Sequence, residues 1–220
     1  MSIEAYTRTA QEVIEAVNRQ VGDEAEIQFQ QSDIIRWINQ GQLEISIKNS
    51  TINEAMAVTN IVADQDKYPI LSDPAFADLN KLQTILYDGR PLKNLTFAEA
   101  MDYILDGTPD SGVPTIWYIK TGVLNLWPKP STSITGGLTI YYNKRPAKIT
   151  SAGQVLSVPD SFFNAILQYV IAQAMEMDEN WQAAGVKHQQ FEVSVNSQQY
   201  MTVEQSASYP TIQSDPEDYI

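Results

Sequence analysis

Apolar side chains recur at three- and four-residue spacing at both ends of this chain and at two-residue spacing through its middle. That change of period predicts helices, then strands, then helices again. In the first helical stretch Ala10, Val13, Ile14 and Val17 share a face, and a GDEAEIQ loop follows. The second is predicted to start with Ser32 as N-cap and to carry an apolar stripe of Ile34, Ile35, Ile38 and Leu43. The polar run NQGQ at 39–42 interrupts it, with Gly41 weakening the helix by about 1 kcal/mol relative to Ala. Asn49 and Ser50 end it.

From residue 55 the stretches AMAVTNIVA, KYPIL, KLQTILYDG, RPLKNL, PTIWYIK, GVLNLWP and GLTIYYNKRP read as short strands. Asp88 with Gly89, Thr121 with Gly122, and Gly136 with Gly137 read as turns between them. Six or seven such strands indicate an antiparallel sandwich or open barrel. One helix interrupts them: Thr96 and Glu99 form a capping box before residues 98–104, and Gly107 stops the segment.

Beyond Pro159, a proline at a first-turn position, runs a stripe of alternating four- and three-residue steps: Phe163, Leu167, Val170, Ala174, Met177, Trp181, Ala184, His188, Phe191 and Val195. An unbroken helix of that length would be a rod of about 50 Å, with residues 178–180 as its weak point. A seam of this kind wants a neighbouring helix or subunit, so Phe163, Val170, Met177, Trp181, His188 and Phe191 are candidate packing positions. The last fifteen residues, SASYPTIQSDPEDYI, hold two prolines and three acids and read as a flexible tail. Tyr209, Ile212, Tyr219 and Ile220 stud it, and are candidate anchors for a strap on a partner.

The fold class expected is therefore α+β. Residues 1–54 with 158–205 form a discontinuous helical bundle of two N-terminal helices and one long C-terminal helix. Residues 55–157 form an antiparallel sandwich or barrel-like domain with one small helix, and 206–220 are the tail. Hydrophobic residues make up 43% of the chain, enough for a real core. No apolar run approaches the roughly 18 residues of a membrane span, and the polar N-terminus lacks the pattern of a signal peptide.

Charge adds an asymmetry. The net charge is -13, but residues 55–150 carry nine acids and nine bases. Residues 1–54 carry nine acids against four bases, and residues 151–220 nine against Lys187 alone. Without basic clusters, tight DNA binding through phosphates is not expected.

Catalytic constellations fail one by one. There is no cysteine, so no disulfide framework, thiol nucleophile or cysteine-based zinc site. The single histidine, His188, lies on the apolar stripe, where a packing role outweighs that of base or ligand. No HExxH, GxSxG, Walker or calcium-loop motif occurs, and Asp64 and Asp66 lack companions. Aromatics in the strands (Trp117, Tyr118, Trp127, Tyr141 and Tyr142) fit core and hairpin pairing better than a sugar platform. No enzyme and no cofactor is expected.

The order of these parts resembles the head-to-tail adaptor proteins of tailed phages, especially podovirus-type adaptors of the tail tubular protein A kind. DIIRWINQGQLEI (33–45) resembles their second helix, and YPIL followed by LQTILYDGRPLKNLTFAEA (82–100) their strand–turn–strand unit leading into a small helix. GVPTIWYIKTGVLNLWPKP (112–130) resembles their aromatic hairpin. LTIYYNKRPAKIT (138–150) and VPDSFFNAILQYVIAQAMEMDEN (158–180) resemble the last strand and long helix. The likeness covers about residues 5–195. It implies a homo-oligomeric ring, usually of twelve copies, between the portal and a tail nozzle or tail-tube protein. DNA passes its channel without specific binding, and the C-terminal segment grips the portal. The resemblance also implies a place in the virion, at the head–tail junction, after synthesis in the host cytoplasm, with no membrane involved. Two other readings stay open: a tail-terminator or head-completion ring protein, and a carbohydrate-binding or hydrolytic sandwich presenting Trp117 and Trp127.

Overall fold

The computed structural model describes residues 6–23, 25, 27–49, 52–70, 72–105 and 110–207, without the side chains of Ala75 and of residues 199–207. The chain divides into two units, Met1–Ile45 with Lys148–Ile220, and Ser46–Ala147.

The first unit is helical. Helix α1, Ala10–Val21, starts at a capping box that the spacing of apolar residues does not reveal. The backbone N–H of Glu12 donates to the Thr9 hydroxyl (3.4 Å), and the Thr9 N–H donates to the Glu12 carboxylate (2.8 Å). Gly22 ends the helix with φ +78, the left-handed conformation glycine adopts without strain. Ala10, Val13, Ile14 and Val17 are all buried.

Helix α2, Gln31–Lys48, begins one residue before Ser32, which therefore does not cap it. The Gln30 carbonyl accepts from the N–H groups of Asp33 (2.9 Å) and Ile34 (3.3 Å). The loop before it is fixed by Asp23, whose carboxylate accepts from the N–H groups of Ile27, Gln28 and Phe29 at 2.8–2.9 Å. The buried stripe of α2 also differs from expectation. Ile34, Trp37, Ile38 and Ile45 are inside, whereas Leu43 is 39% exposed. Trp37 meets Phe29 edge-on at 5.9 Å.

The polar run 39–42 organises this unit. The Asn39 amide donates to the carbonyl of Ile149 (2.9 Å) and accepts from its N–H (2.8 Å). The Gln42 amide oxygen accepts from the Ser157 N–H at 2.6 Å. A Cβ on Gly41 would stand 3.1 Å from the Tyr169 ring, so this glycine permits close helix approach.

After Pro159 comes a single 3-10 turn, Asp160–Phe162, so the proline stands ahead of a turn and not in the first turn of the long helix. The Asp160 carboxylate accepts from the Thr7 hydroxyl and from the N–H groups of Thr7 and Arg8 (2.9 and 3.0 Å). Helix α4, Phe163–Met177, buries Ala165, Ile166, Leu167, Val170, Ile171, Ala172 and Ala174, residues on most of its circumference. It is the central element of the unit, packed by α1 and by α5, Trp181–Ala207. A helix apolar on nearly all sides is a buried one.

The second unit is a sandwich of mainly antiparallel strands. These are β1 Glu54–Ile61, β2 Lys67–Tyr68, β3 Leu79–Tyr87, β4 Arg90–Pro91, β5 Lys93–Asn94, β6 Ser111–Gly112, β7 Ile116–Lys120, β8 Val123–Trp127, β9 Lys129–Pro130 and β10 Ile134–Lys144. One sheet has the order β1-β10-β3-β4 and the other β2-β8-β7-β5. The short pairings β5 with β7 and β6 with β9 are parallel. Between the sheets lie Ile61, Ile85, Leu138, Ile140 and Tyr142 from one and Trp117, Leu124 and Leu126 from the other. Helix α3, Phe97–Leu105, starts at the Thr96–Glu99 capping box (2.8 and 3.3 Å) and packs on Ile116, Tyr118 and Trp127. Gly107, expected to end it, lies outside the described residues.

Asp88 with Gly89 and Thr121 with Gly122 all have positive φ, as two-residue hairpin turns require. Gly136 and Gly137 do not form a turn. Both lie inside β10, where the register with β1 shifts between Thr59 and Ile61. Gly136 takes φ +66, and a Cβ on Gly137 would sit 2.7 Å from Ile134 and 2.8 Å from Ile61. The pair serves a β-bulge, which favours glycine for the same conformational reason as a turn.

Candidate functional site

The stripe expected to form one rod folds back on itself. Residues 178–180 separate α4 from α5, with Glu179 at φ +58. Asn180 then starts α5: its side-chain oxygen accepts from the Ala183 N–H (3.3 Å) and its carbonyl from the Ala184 N–H (3.0 Å). Three consecutive polar residues, one of them able to cap, outweigh the continuing apolar period. On α5 the stripe residues His188 and Phe191 face α4, where Tyr169 and Glu176, which lie off the stripe, meet them.

Within the hairpin Val170, Phe191, Leu167, Ala174, Ala184 and Val195 are buried. The Tyr169 ring meets Phe191 at 5.2 Å and His188 at 6.0 Å, both edge-on. His188 Nε2 lies 2.8 Å from Glu176 Oε1, so the single histidine joins the two helices. Phe163 is half-buried beneath the Arg8 guanidinium, 4.9 Å from its ring centre. Met177 and Trp181 are different. They flank the turn and are 57% and 66% exposed, so the hairpin leaves these two outside its seam. Val186 and Val193, two turns apart on α5, are also exposed, beside the amides of Asn164, Gln168, Gln189 and Gln190. The expected anchors Tyr209, Ile212, Tyr219 and Ile220 lie outside the described residues.

Two carboxylates of this unit hold loops by charge-assisted hydrogen bonds, which strengthen with ionisation. The Phe29 N–H, with those of Ile27 and Gln28, keeps Asp23 below its ordinary pKa. The Thr7 hydroxyl and N–H do the same for Asp160, aided by Arg8. Both acids are structural clamps.

The second unit offers two apolar surfaces. A cleft of about 510 Å³ is lined by Ile70, Leu79, Leu82, Leu95, Trp117 and Ile119, with Asn94, Thr96 and Glu99 as polar members. On the outer face of the first sheet, Met56 and Val58 are 58% and 54% exposed, and Tyr141 stands opposite Met56. Trp117 and Trp127 form no common platform. Both are buried, Trp117 between the sheets and Trp127 under α3, on opposite faces of one sheet. That arrangement removes the pair on which a sugar-binding reading rests.

Among the described residues no group of three or more His, Cys, Asp or Glu is placed to hold a metal ion. No helix is long and apolar enough to cross a membrane. The exposed apolar residues, Met56 and Val58 on the sheet and Met177 and Trp181 at the turn, are surfaces that another protein can cover. Sequence periodicity gave no sign of Met56, Val58 or the Asp23 and Asp160 clamps, because it reports which face is apolar and not which face is left uncovered. The family model described as SU10 adaptor protein matches residues 8–213. No curated protein matches the chain.

Proposed function

The chain belongs to the SU10 adaptor protein family, a family of phage head-to-tail adaptors, and from that premise we propose that it closes into a ring joining the portal to the tail. Family membership makes it a structural phage protein with portal and tail components as its partners. One observation carries the reading: the match spans 8–213, so it takes in both units and not a single motif.

In this reading about twelve copies surround the channel, as in the adaptors the sequence resembles. The acidic helical unit stands beside the DNA and the neutral β unit away from it. Negative charge there repels phosphates, so the genome slides without being held. The C-terminal segment carrying Tyr209, Ile212, Tyr219 and Ile220 straps onto the portal. Exposed Met177 and Trp181 supply further contact at the hairpin turn. The described residues contribute scaffold and surface, and the protein acts by binding and not by catalysis.

Size-exclusion chromatography with light scattering, with and without the purified portal of the same phage, tests this. The chain alone should be monomeric or heterogeneous, and closed rings should form with the portal. A monomer that ignores the portal and binds glycans tightly would overturn the adaptor reading.

A further inference from the structure

The first sheet of the β unit leaves two backbone edges without a neighbouring strand among the described residues. β1 pairs with β10 alone, and β4 pairs with β3 only at Leu86 and Tyr87, so residues 79–82 of β3 have no strand beyond them. Open edges template pairing with other chains, and proteins blunt them with lysine, proline or bulges. β1 has no lysine, proline or bulge from residue 54 to 59, where its pairing with β10 is regular and its sequence EAMAVT carries Glu54 as its one charge. Met56 and Val58 add exposed apolar surface along the same strand. Such an edge aggregates unless something covers it.

The β3 edge is guarded by Lys81 and by register shifts at Asn80 and Gln83 on either side of it, so it admits only a strand that brings an acid to that lysine, and the two edges differ in charge at the same level of the sheet. Glu54 pairs with Asn143, and Asn143 pairs with Lys81, so the acid and the base stand in one row. Both are exposed, and Glu54 also accepts a 3.4 Å hydrogen bond from Gln83. β1 and β3 are each antiparallel to β10 and therefore run the same way. A ring is built from heterologous contacts, in which one patch meets a different patch on the next copy. Two copies of β1 meeting each other would close a dimer and stop.

We infer that β1 of one copy lies along residues 79–82 of β3 in the next, in parallel, with Glu54 beside the neighbouring Lys81. The occupant of each edge is thus a second copy of this chain. The inference rests on the ring reading above and adds the surface by which the ring is built.

The chain has no cysteine, so cross-linking is clean. Within one copy positions 54 and 81 are two strand spacings apart, about 9.6 Å, beyond the roughly 7 Å that a disulfide spans. The double variant Glu54→Cys, Lys81→Cys is assembled on the purified portal, oxidised, and run on a non-reducing gel. A ladder of covalent multimers that collapses with reductant is expected, while each single-cysteine variant stays monomeric. A companion pair, Met56→Cys with Lys81→Cys, catches a slip of two residues. Rings visible by electron microscopy with no ladder from either pair would overturn the edge pairing and leave the ring reading standing. Dimers from Glu54→Cys alone would overturn it by showing β1 against β1. Absence of rings from the parent protein would overturn the ring reading, and the edge pairing with it.

Discussion

The helical unit and the β unit treat their apolar surface in opposite ways. In the helical unit most of an over-long stripe is buried within the chain, where a turn at residues 178–180 brings α5 back along α4 and leaves Met177 and Trp181 exposed at its tip. In the β unit the strands leave an apolar cleft, an apolar outer face around Met56 and Val58, and an edge strand without proline or lysine. The helical unit is acidic, and the β unit carries nearly balanced charge. The difference teaches where assembly contacts are to be sought. A regular apolar stripe in a sequence marks packing, and most of that packing is met within the chain here. Surface left uncovered is the better sign of a partner.

The largest expected effect separates seam from tip in the helical unit. Phe191, 2% exposed, is replaced in Phe191→Ala, which should cost about 3–5 kcal/mol in denaturant unfolding. Trp181→Ala, at a 66% exposed position, should stay within about 0.5 kcal/mol of the parent. If Trp181→Ala is the more damaging change, the tip belongs to the core and the contrast between the units fails. In the β unit, Gly137→Ala should cost about 1–3 kcal/mol by crowding Ile134 and Ile61. A neutral result would show that the bulge gives way easily.

A smaller effect has the opposite sign. Thr121 holds φ +48 in the turn before Gly122, a conformation that suits asparagine better than a β-branched residue. Thr121→Asn should raise stability by up to about 1 kcal/mol, read as a shift in the unfolding midpoint.

The smallest effect concerns pH. Asp160 has its folded pKa depressed by the Thr7 and Arg8 hydrogen bonds, so it binds a proton less readily folded than unfolded. Its contribution is present above the ordinary carboxylate value of 3.8 and is lost as pH falls through the lower folded value. Asp23 behaves the same way. Asp160→Asn should therefore flatten part of the acid limb of a stability–pH profile. An unchanged limb would remove the clamp from the account.

Much of the fold was legible because period and turn chemistry act locally. The strands, the Thr96–Glu99 cap and the Asp88–Gly89 and Thr121–Gly122 turns follow from neighbouring residues alone. Where the reading failed, residues outside the local period decided the outcome, and at residues 178–180 a local polar cap overrode that period. Ser32 does not cap α2, which starts a residue earlier with the Gln30 carbonyl taking its first N–H groups, after a loop bonded to Asp23. Gly136 and Gly137 read as a turn, yet β1 alongside makes them a bulge. The weak-looking NQGQ run is where Asn39, Gly41 and Gln42 meet Ile149, Tyr169 and Ser157. The exposed surfaces were least legible, since burial on one face says nothing of what the other face meets.

The adaptor role is tested most directly in the phage itself, by removing the chain and imaging the particles that accumulate in infected cells. The account predicts DNA-filled or leaking heads that carry portal but no tail, restored to complete virions when the chain is supplied. Complete tailed virions assembling at normal yield without it would contradict the account.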